Sequence, residues 1–216
     1  MKVELIGLTK PSASTGCNTA DELVAYTARV SNPTNQNNNE TAPKLLKYLI
    51  KNEHWSPFEM VSVQMSITTT RDISRQIIRH RSFSFQEYSQ RYAEAPEQIY
   101  TREARLQDPD NRQNSISSDD VNQALRFRKL QEKVGSEARQ AYNKALKDGI
   151  AKEQARALLP EGLTETTLIM SGSLRSWIHY CELRMGNGTQ KEHAEIAQMC
   201  WSILSQHFPS VAAAME

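Results

Sequence analysis

Residues 60–68 limit the possible folds more than any other segment, because apolar and polar side chains alternate strictly from residue 61 onwards. The run reads Val61, Ser62, Val63, Gln64, Met65, Ser66, Ile67 and Thr68. Successive side chains of a β-strand point to opposite faces of its sheet, so the alternation predicts a strand that is buried on one face. That face has to be covered by helices or by a second sheet.

The remaining segments predict helices packed on this sheet rather than an alternating βαβ series. Strands are also predicted at 3–8 and 163–171, with short strands and a long loop within 81–116. Helical spacing of apolar residues indicates helices at 20–30, 41–52, 71–79, 119–148, 174–185 and 190–207. This segregation is typical of the α+β class, with an antiparallel or mixed sheet packed against long helices. A length of 216 residues suits a single domain, 1–216.

Two of the predicted helices have identifiable ends. Helix 119–148 should be capped by Ser118 and ended by Gly149. Its apolar stripe should consist of Leu130, Val134, Ala138, Ala141 and Leu146. Helix 190–207 should open with a capping box of Thr189 and Glu192, and Pro209 should close it.

On a helical wheel, helix 174–185 has one apolar side and two polar flanks. The apolar side holds Leu174, Trp177, Ile178 and Cys181. Arg175 and His179, four residues apart, share one flank, whereas Arg184 projects from the other. We therefore expect this helix to offer Arg175 and His179 to one ligand and Arg184 to another.

Composition and charge exclude several classes of protein. The 26 Lys and Arg residues nearly balance the 25 Asp and Glu residues, and the resulting net charge of +1 argues against a general nucleic-acid-binding protein. No run approaches the roughly 20 apolar residues that span a membrane, and residues 1–10 lack the apolar core of a signal peptide. We therefore expect a cytoplasmic protein with no membrane partner. The three scattered cysteines fit neither a disulfide framework nor a zinc site.

Arginines are concentrated in residues 71–92, which contain no lysine. They stand at Arg71, Arg75, Arg79, Arg81 and Arg91, with aromatic and small polar residues between them. Like charges four residues apart on a helix repel each other, so carboxylates or a bound anion should answer these arginines. Asp72 and Glu87 are too few to do so. A guanidinium binds phosphate through a planar fork of donors, and no glycine-rich phosphate-binding loop occurs in the sequence.

Composition alone leaves several interpretations of this segment open. It could be a solvated basic face, a surface for single-stranded nucleic acid, or a site for a phosphorylated small molecule that contains a ring. Ser89, with His80 as its base, would instead indicate a hydrolase. The two arginines that flank His80 favour its neutral form.

A spaced motif within the segment is more specific than its composition. Arg79-His80-Arg81 is followed after seven residues by Ser89, and then by Arg91-Tyr92. This pattern resembles the signature of the flavin-dependent thymidylate synthases. Four other segments resemble the same family in the same order along the chain, at 28–31, 54–59, 154–160 and 174–184.

The resemblance implies a reaction, its co-substrates and an assembly. Members of this family convert dUMP to dTMP with 5,10-methylenetetrahydrofolate as carbon donor and with FAD, reduced by NADPH, as hydride source. They use no cysteine nucleophile and assemble as homotetramers with sites shared between subunits. The implied partners are therefore dUMP and further copies of the chain, and not nucleic acid. A member that binds flavin but no longer uses folate remains an alternative.

The resemblance also assigns residues to each ligand. FAD would be bound by Ser31, His54, Ser56, Arg79, His80, Arg81, Glu87, Ser173, Leu174, Arg175 and His179. The nucleotide dUMP would be bound by Gln76, Ile77, Ile78, Arg79, Glu87, Tyr88, Ser89, Gln90, Arg91, Arg156 and Arg184. Arg184 is the expected catalytic residue, because the family's corresponding arginine is credited with favouring the N3-ionised uracil. No metal ligands are expected.

Several of these residues also have a simpler interpretation. Glu87, a lone carboxylate among arginines, is most simply their counter-ion. Ser89 is expected to donate its hydroxyl to the nucleotide rather than to act as a nucleophile. Tyr88 and Gln90 are expected to contribute backbone N–H groups rather than side chains.

Overall fold

A computed structural model describes residues 1–186 and 188–215 of the chain. Its strands are β1 (Lys2–Leu8), β2 (Ser62–Thr70), β3 (Ser84–Glu87), β4 (Arg105–Gln107), β5 (Ser115–Ser117) and β6 (Glu165–Ser173). Its helices are α1 (Ala20–Ala28), α2 (Ala42–Lys51), α3 (Arg71–Ile77), α4 (Val121–Lys147), α5 (Lys152–Ala155), α6 (Leu174–Met185), α7 (Lys191–His207) and α8 (Pro209–Met215). The segregation of strands and helices confirms the α+β class.

The main sheet has four antiparallel strands in the order β1–β2–β6–β3, and β4 and β5 form a separate hairpin. Val63, Met65 and Ile67 are buried, which confirms the predicted alternation in β2. Both β2 and β6 lie two residues further along the chain than predicted. For β2 the reason is that residues Ser56–Met60 first form a 3-10 helix.

The helices α6 and α7 pack together with the sheet in the main hydrophobic core. The predicted apolar side of α6 is confirmed, since Leu174, Trp177, Ile178 and Cys181 are all fully buried. Trp177 Nε1 also donates a hydrogen bond to Val63 O at 3.0 Å, which ties α6 to β2. Because α6 starts at the residue after β6 ends, its polar flanks are held at the end of the sheet.

The long helix α4 buries a different face from the predicted one. Leu130 and Val134 are 61% and 51% exposed, so the predicted apolar stripe is wrong for the isolated chain. The buried positions are instead Gln131, Gly135 and Tyr142. Polar contacts select that face, because Gln131 pairs with the backbone of residue 102 and the Tyr142 hydroxyl accepts a hydrogen bond from the backbone N–H of residue 95.

Helix ends follow the predictions only in part. Gly149 adopts a positive φ of 83° just after α4, as expected for a helix terminator. Asp120, rather than Ser118, caps α4 through the N–H of residue 123. The capping box predicted for α7 is wrong, because Gln190 is the cap residue and makes no side-chain cap bond. Pro209 begins α8, which the sequence did not predict, and proline is well suited to a first helical turn.

No helix among residues 1–186 and 188–215 is both long and apolar enough to cross a membrane.

Candidate active site

The arginine-rich segment begins on α3, which continues directly from β2. Glu161, in the loop before β6, places its Oε1 at 3.2 Å from Arg75 Nη2 and at 3.9 Å from Arg71 Nε. Asp72 pairs instead with Arg102, at 2.8 Å. A carboxylate that the sequence pattern did not indicate therefore neutralises part of the charge on α3.

Arg79 and Arg81 lie just beyond α3, and both are exposed. Over the part of the chain that the structure describes, neither guanidinium makes a hydrogen bond or an ion pair. The sequence predicted that a bound anion would answer these arginines, and at these two positions no carboxylate among the described residues does so. The guanidinium N–H groups of both residues could therefore bind a phosphate.

A cavity of about 420 Å³ opens beside α3 and is lined by Arg71, Arg75, Gln90 and Arg156. Gln90 is only 3% exposed, and its amide nitrogen has no hydrogen-bond partner among the described residues. Buried donors are rarely left unpaired, so this one points to an acceptor on a bound ligand. The side chain of Gln90 therefore has an unused donor in the wall of the cavity.

The residues on either side of Gln90 are more constrained. Tyr88 N donates to Thr167 O at 2.8 Å, and the Tyr88 hydroxyl donates to the carbonyl of Glu94 at 2.7 Å. The expectation that Tyr88 offers its backbone N–H to a ligand is therefore wrong. Arg91 stays at the edge of the cavity through a 3.4 Å ion pair with Glu153, which is part of the cavity wall.

Ser89 and His80 do not form the pair that a serine hydrolase needs. Ser89 Oγ accepts a hydrogen bond from Arg91 N at 3.4 Å, and His80 Nε2 accepts one from Arg184 Nε at 2.8 Å. No hydrogen bond joins Ser89 to His80 within residues 1–186 and 188–215. The arrangement favours a hydroxyl donor at Ser89 over a nucleophile.

Glu87 is fixed by neighbours on both sides. Its Oε1 accepts hydrogen bonds from Ser74 Oγ at 2.9 Å and from Thr166 Oγ1 at 3.0 Å. The same oxygen lies 3.7 Å from Arg71 Nη1. The interpretation of Glu87 as a counter-ion is therefore confirmed for Arg71.

Several of the residues assigned to FAD surround one flank of α6. Arg175 forms an ion pair with Glu59, and the ring of His179 packs edge-on against Trp55 with centroids 4.5 Å apart. These contacts bring α6 next to the exposed residues His54 and Ser56. In addition, Ser176 Oγ donates to the carbonyl of residue 82 at 3.3 Å, which holds the loop after Arg81 against the same helix. Residues 54–59, the loop after Arg81 and helix α6 thus meet on one surface.

The other flank of α6 carries Arg184, which confirms the predicted division of this helix. His80 accepts the hydrogen bond from Arg184 and packs edge-on against the ring of Tyr180, with centroids 4.9 Å apart. Burial, and then the charge of Arg184, lower the pKa of His80. His80 Nε2 can accept the bond from Arg184 only when it is unprotonated, which fits the predicted neutral form. Burial and Arg184, rather than the two flanking arginines, lower the pKa.

Some assigned residues lie where their side chains have other uses. Ile77 and Leu174 are fully buried in the core, and Ile78 packs against it, so a ligand could reach the first two only through their backbone. Ser173 Oγ accepts a hydrogen bond from the N–H of residue 176 and caps α6. Ser31 is exposed in the turn after α1, a helix that packs against Ser56–Met60.

Sequence reasoning missed a buried pair beside Arg184. His193, on α7, is fully buried, with Nε2 at 3.1 Å from Tyr180 Oη and Nδ1 at 3.3 Å from Gln76 Oε1. Burial, followed by the charge of Arg184, lowers the pKa of His193 to about 3, so its imidazole is neutral. His193 belongs to no motif, Tyr180 lies within segment 174–184 but was not assigned to a ligand, and only the tertiary structure brings α3, α6 and α7 together. No local sequence signal could have found the pair.

Comparison with known proteins identifies the family to which this fold and site belong. The family model described as "Thymidylate synthase complementing protein" matches residues 14–210. A probable flavin-dependent thymidylate synthase of Paramecium bursaria Chlorella virus 1 is 50% identical over 216 residues, covering 100% of this chain and 99% of that protein. The flavin-dependent thymidylate synthase of Synechocystis sp. is 50% identical over 219 residues, covering 100% of both.

Solved structures agree with the sequence comparison. The UMP/dUMP methylase PolB from Streptomyces cacaoi, in a crystal structure with 5-Br dUMP bound, aligns with a TM-score of 0.83 and 27% identity. The alignment covers 99% of this chain and 93% of PolB. The chain therefore belongs to the flavin-dependent thymidylate synthase family.

Proposed function

We propose that this protein converts dUMP to dTMP, with 5,10-methylenetetrahydrofolate as carbon donor and with FAD, reduced by NADPH, as hydride source. The observation that carries the proposal is the arginine-lined cavity in which the buried Gln90 amide lacks a protein partner among the described residues. Gln90, which lines the cavity, stands between the signature residues Ser89 and Arg91, and the relatives named above are flavin-dependent thymidylate synthases.

The phosphate of dUMP is assigned to this cavity on the basis of charge. Arg71, Arg75 and Arg156 line it, and Arg91 lies at its edge. They face three carboxylates, Glu87, Glu153 and Glu161, which leaves an excess of positive charge for a phosphate. Arg156 Nε donates a hydrogen bond to Glu153 O at 3.2 Å. This bond does not use the two terminal nitrogens, which can therefore donate to a phosphate. The Gln90 amide, the Ser89 hydroxyl and Arg91 supply further donors at the same end of the site.

The uracil is assigned to Arg184, the proposed catalytic residue. Its guanidinium is held by the 2.8 Å bond to His80, and because His80 is neutral it does not repel this charge. A fixed cation favours the N3-ionised uracil, which has higher electron density at C5, the carbon that receives the new group. Removing one such stabilising donor from an active site typically lowers kcat by about 10²–10³-fold, or roughly 2.7–4 kcal/mol.

The chemistry of the residues around α6 fits FAD. The unpaired guanidiniums of Arg79 and Arg81 suit its pyrophosphate, while His54, Ser56, Arg175 and His179 offer donors on the surface described above. Ser31, His80, Glu87, Ser173 and Leu174 complete the assigned set. When bound and reduced by NADPH, FAD supplies the reducing equivalents that turn the transferred carbon into a methyl group. The chain's own contribution is to bind the two ligands on opposite flanks of α6.

A homotetramer with shared sites is part of the proposal. Phe127, Leu130 and Val134 follow one another at helical spacing on α4 and are all exposed. A row of exposed apolar side chains on one helix face is typical of a surface that another subunit covers. Assembly through α4 would bury these side chains.

The proposal is tested with anaerobic visible spectra of the purified protein, first alone, then after NADPH, and then after dUMP. We expect a flavin spectrum, or one that is acquired on incubation with excess FAD, and bleaching on addition of NADPH. When NADPH is limited to one equivalent per flavin, addition of methylenetetrahydrofolate to the reduced protein with dUMP should restore the oxidised spectrum and yield one dTMP per flavin.

Two results would contradict the proposal in different ways. A protein that takes up no flavin from excess FAD would contradict the cofactor assignment. A flavin that is reduced by NADPH but yields no dTMP would instead favour the family member that no longer uses folate.

A further inference from the structure

His193 is the first member of a chain of hydrogen bonds that continues through Gln76, Gln190 and Glu192 to Arg105. Gln76 Nε2 donates to Gln190 Oε1 at 2.7 Å, and Gln190 Nε2 donates to Glu192 Oε2 at 2.9 Å. Arg105 Nη2 donates to both oxygens of Glu192, at 2.7 and 2.9 Å, and fixes the far end of the chain. Every amide in the chain therefore has a defined orientation.

The orientation of Gln76 fixes the tautomer of His193. Because Gln76 Nε2 is the donor to Gln190, its Oε1 faces His193, and a carbonyl oxygen can only accept. His193 Nδ1 therefore carries the proton, and the unprotonated Nε2 accepts from the Tyr180 hydroxyl at 3.1 Å. Tyr180 is a buried residue of α6, and its hydroxyl, which can donate or accept, fits this tautomer as the donor.

Gln76 is thus held at two points. With the bond to Gln190 alone, the carboxamide of Gln76 could still rotate about that one hydrogen bond. The second bond, from His193, prevents this rotation. A carboxamide has two donor hydrogens and two acceptor lone pairs, and the chain engages one of each. One N–H and one lone pair remain for a ligand.

We propose that His193 is a positioning residue for the nucleotide, which acts by fixing the carboxamide of Gln76 that binds dUMP. This inference rests on the proposed function, since Gln76 is a dUMP residue only in that assignment. Loss of a preset orientation weakens binding, because the ligand then has to order the side chain itself. One neutral hydrogen bond of this kind corresponds to roughly threefold to tenfold in affinity.

The test is equilibrium dialysis of labelled dUMP against the full-length, FAD-loaded protein. His193→Phe keeps a planar ring of similar size but can neither donate to Gln76 nor accept from Tyr180. We expect dUMP to bind about threefold to tenfold more weakly. His193→Gln, which can do both, should recover most of the affinity. His207→Asn, an exposed substitution at the end of the same helix, is the matched control and should bind as the wild type does.

A double-mutant cycle separates positioning from a general structural role. In a Gln76→Leu background the substitution His193→Phe should have no further effect on dUMP affinity, because the side chain it acts through is gone. An equal loss in both backgrounds would overturn the proposal. So would wild-type affinity in His193→Phe. If His193→Phe does not fold, Tyr180→Phe serves in the same cycle, with a smaller loss in the same direction.

The wild-type protein keeps the two proposals distinguishable. If the wild type fails to bind dUMP, both the proposed function and the role of His193 are overturned. If the wild type binds dUMP and His193→Phe binds it equally well, only the role of His193 is overturned.

Discussion

Replacing Gly172 by alanine should disturb the packing that positions the Arg79-His80-Arg81 turn. A Cβ at residue 172 would lie 2.4 Å from Cδ1 and 2.7 Å from Cε1 of Phe83. Phe83 cannot move away freely, because its ring packs edge-on against Trp177 with centroids 4.9 Å apart. Overpacking of this kind costs about 1–3 kcal/mol.

The expected size of the effect follows from the length of the chain. For a domain of about 150–250 residues, each kcal/mol lowers Tm by about 2–4 °C, so Gly172→Ala should lower Tm by roughly 2–12 °C. Phe83 N also donates to His80 O at 3.3 Å, so a displaced Phe83 should shift the turn. We therefore expect weaker retention of FAD as well.

The assay is thermal unfolding followed by circular dichroism, together with the flavin content after gel filtration. Gly162→Ala is the matched control, since the nearest atom to its Cβ would be Asp72 Oδ2 at an ordinary 3.8 Å. This control should be neutral or more stable by about 0.4–1 kcal/mol. A Gly172→Ala protein that unfolds at the wild-type temperature would refute the reasoning.

Three other predictions address catalysis, pH and assembly. Arg184→Ala should retain flavin but form dTMP about 10²–10³-fold more slowly, whereas the exposed substitution Arg112→Ala should leave the rate unchanged; wild-type turnover in Arg184→Ala would exclude the assigned role. His193 has a folded-state pKa of about 3, below the usual value of about 6.5, so only the unfolded chain takes up this proton between those values. The wild type should therefore lose up to about 1.4 kcal/mol per pH unit below pH 6.5 relative to His193→Gln, measured by urea unfolding, and equal slopes would contradict the assignment. Leu130→Ser with Val134→Ser should lower the mass measured by light scattering, and an unchanged mass would rule out assembly through α4.

Local periodicity and spacing predicted much of the fold and part of the site. The alternation in β2 and the wheel of α6 depend on which face of one element is apolar, and the sequence contains that information directly. The structure accordingly buries Met65 and Trp177 and places Arg175 and Arg184 on opposite flanks. The arginine-rich segment was informative for a similar reason, because local like charges require a counter-ion or a ligand.

The features that were missed depend on contacts between distant segments. Glu161 answers Arg71 and Arg75 from a loop far along the chain, and His193 meets Gln76 only because α3 and α7 pack together. The face buried by α4 is chosen by polar contacts with a distant loop rather than by its apolar stripe. Periodicity in one element cannot indicate such partners.

The account is tested most directly by following dTMP from labelled dUMP by chromatography, with FAD, NADPH and methylenetetrahydrofolate each omitted in turn. With protein from which any bound flavin has first been removed, it predicts that dTMP forms only when all three are present and that Arg184→Ala forms almost none. Formation of dTMP without FAD, or its absence from a flavin-loaded wild-type protein given every component, would contradict the account.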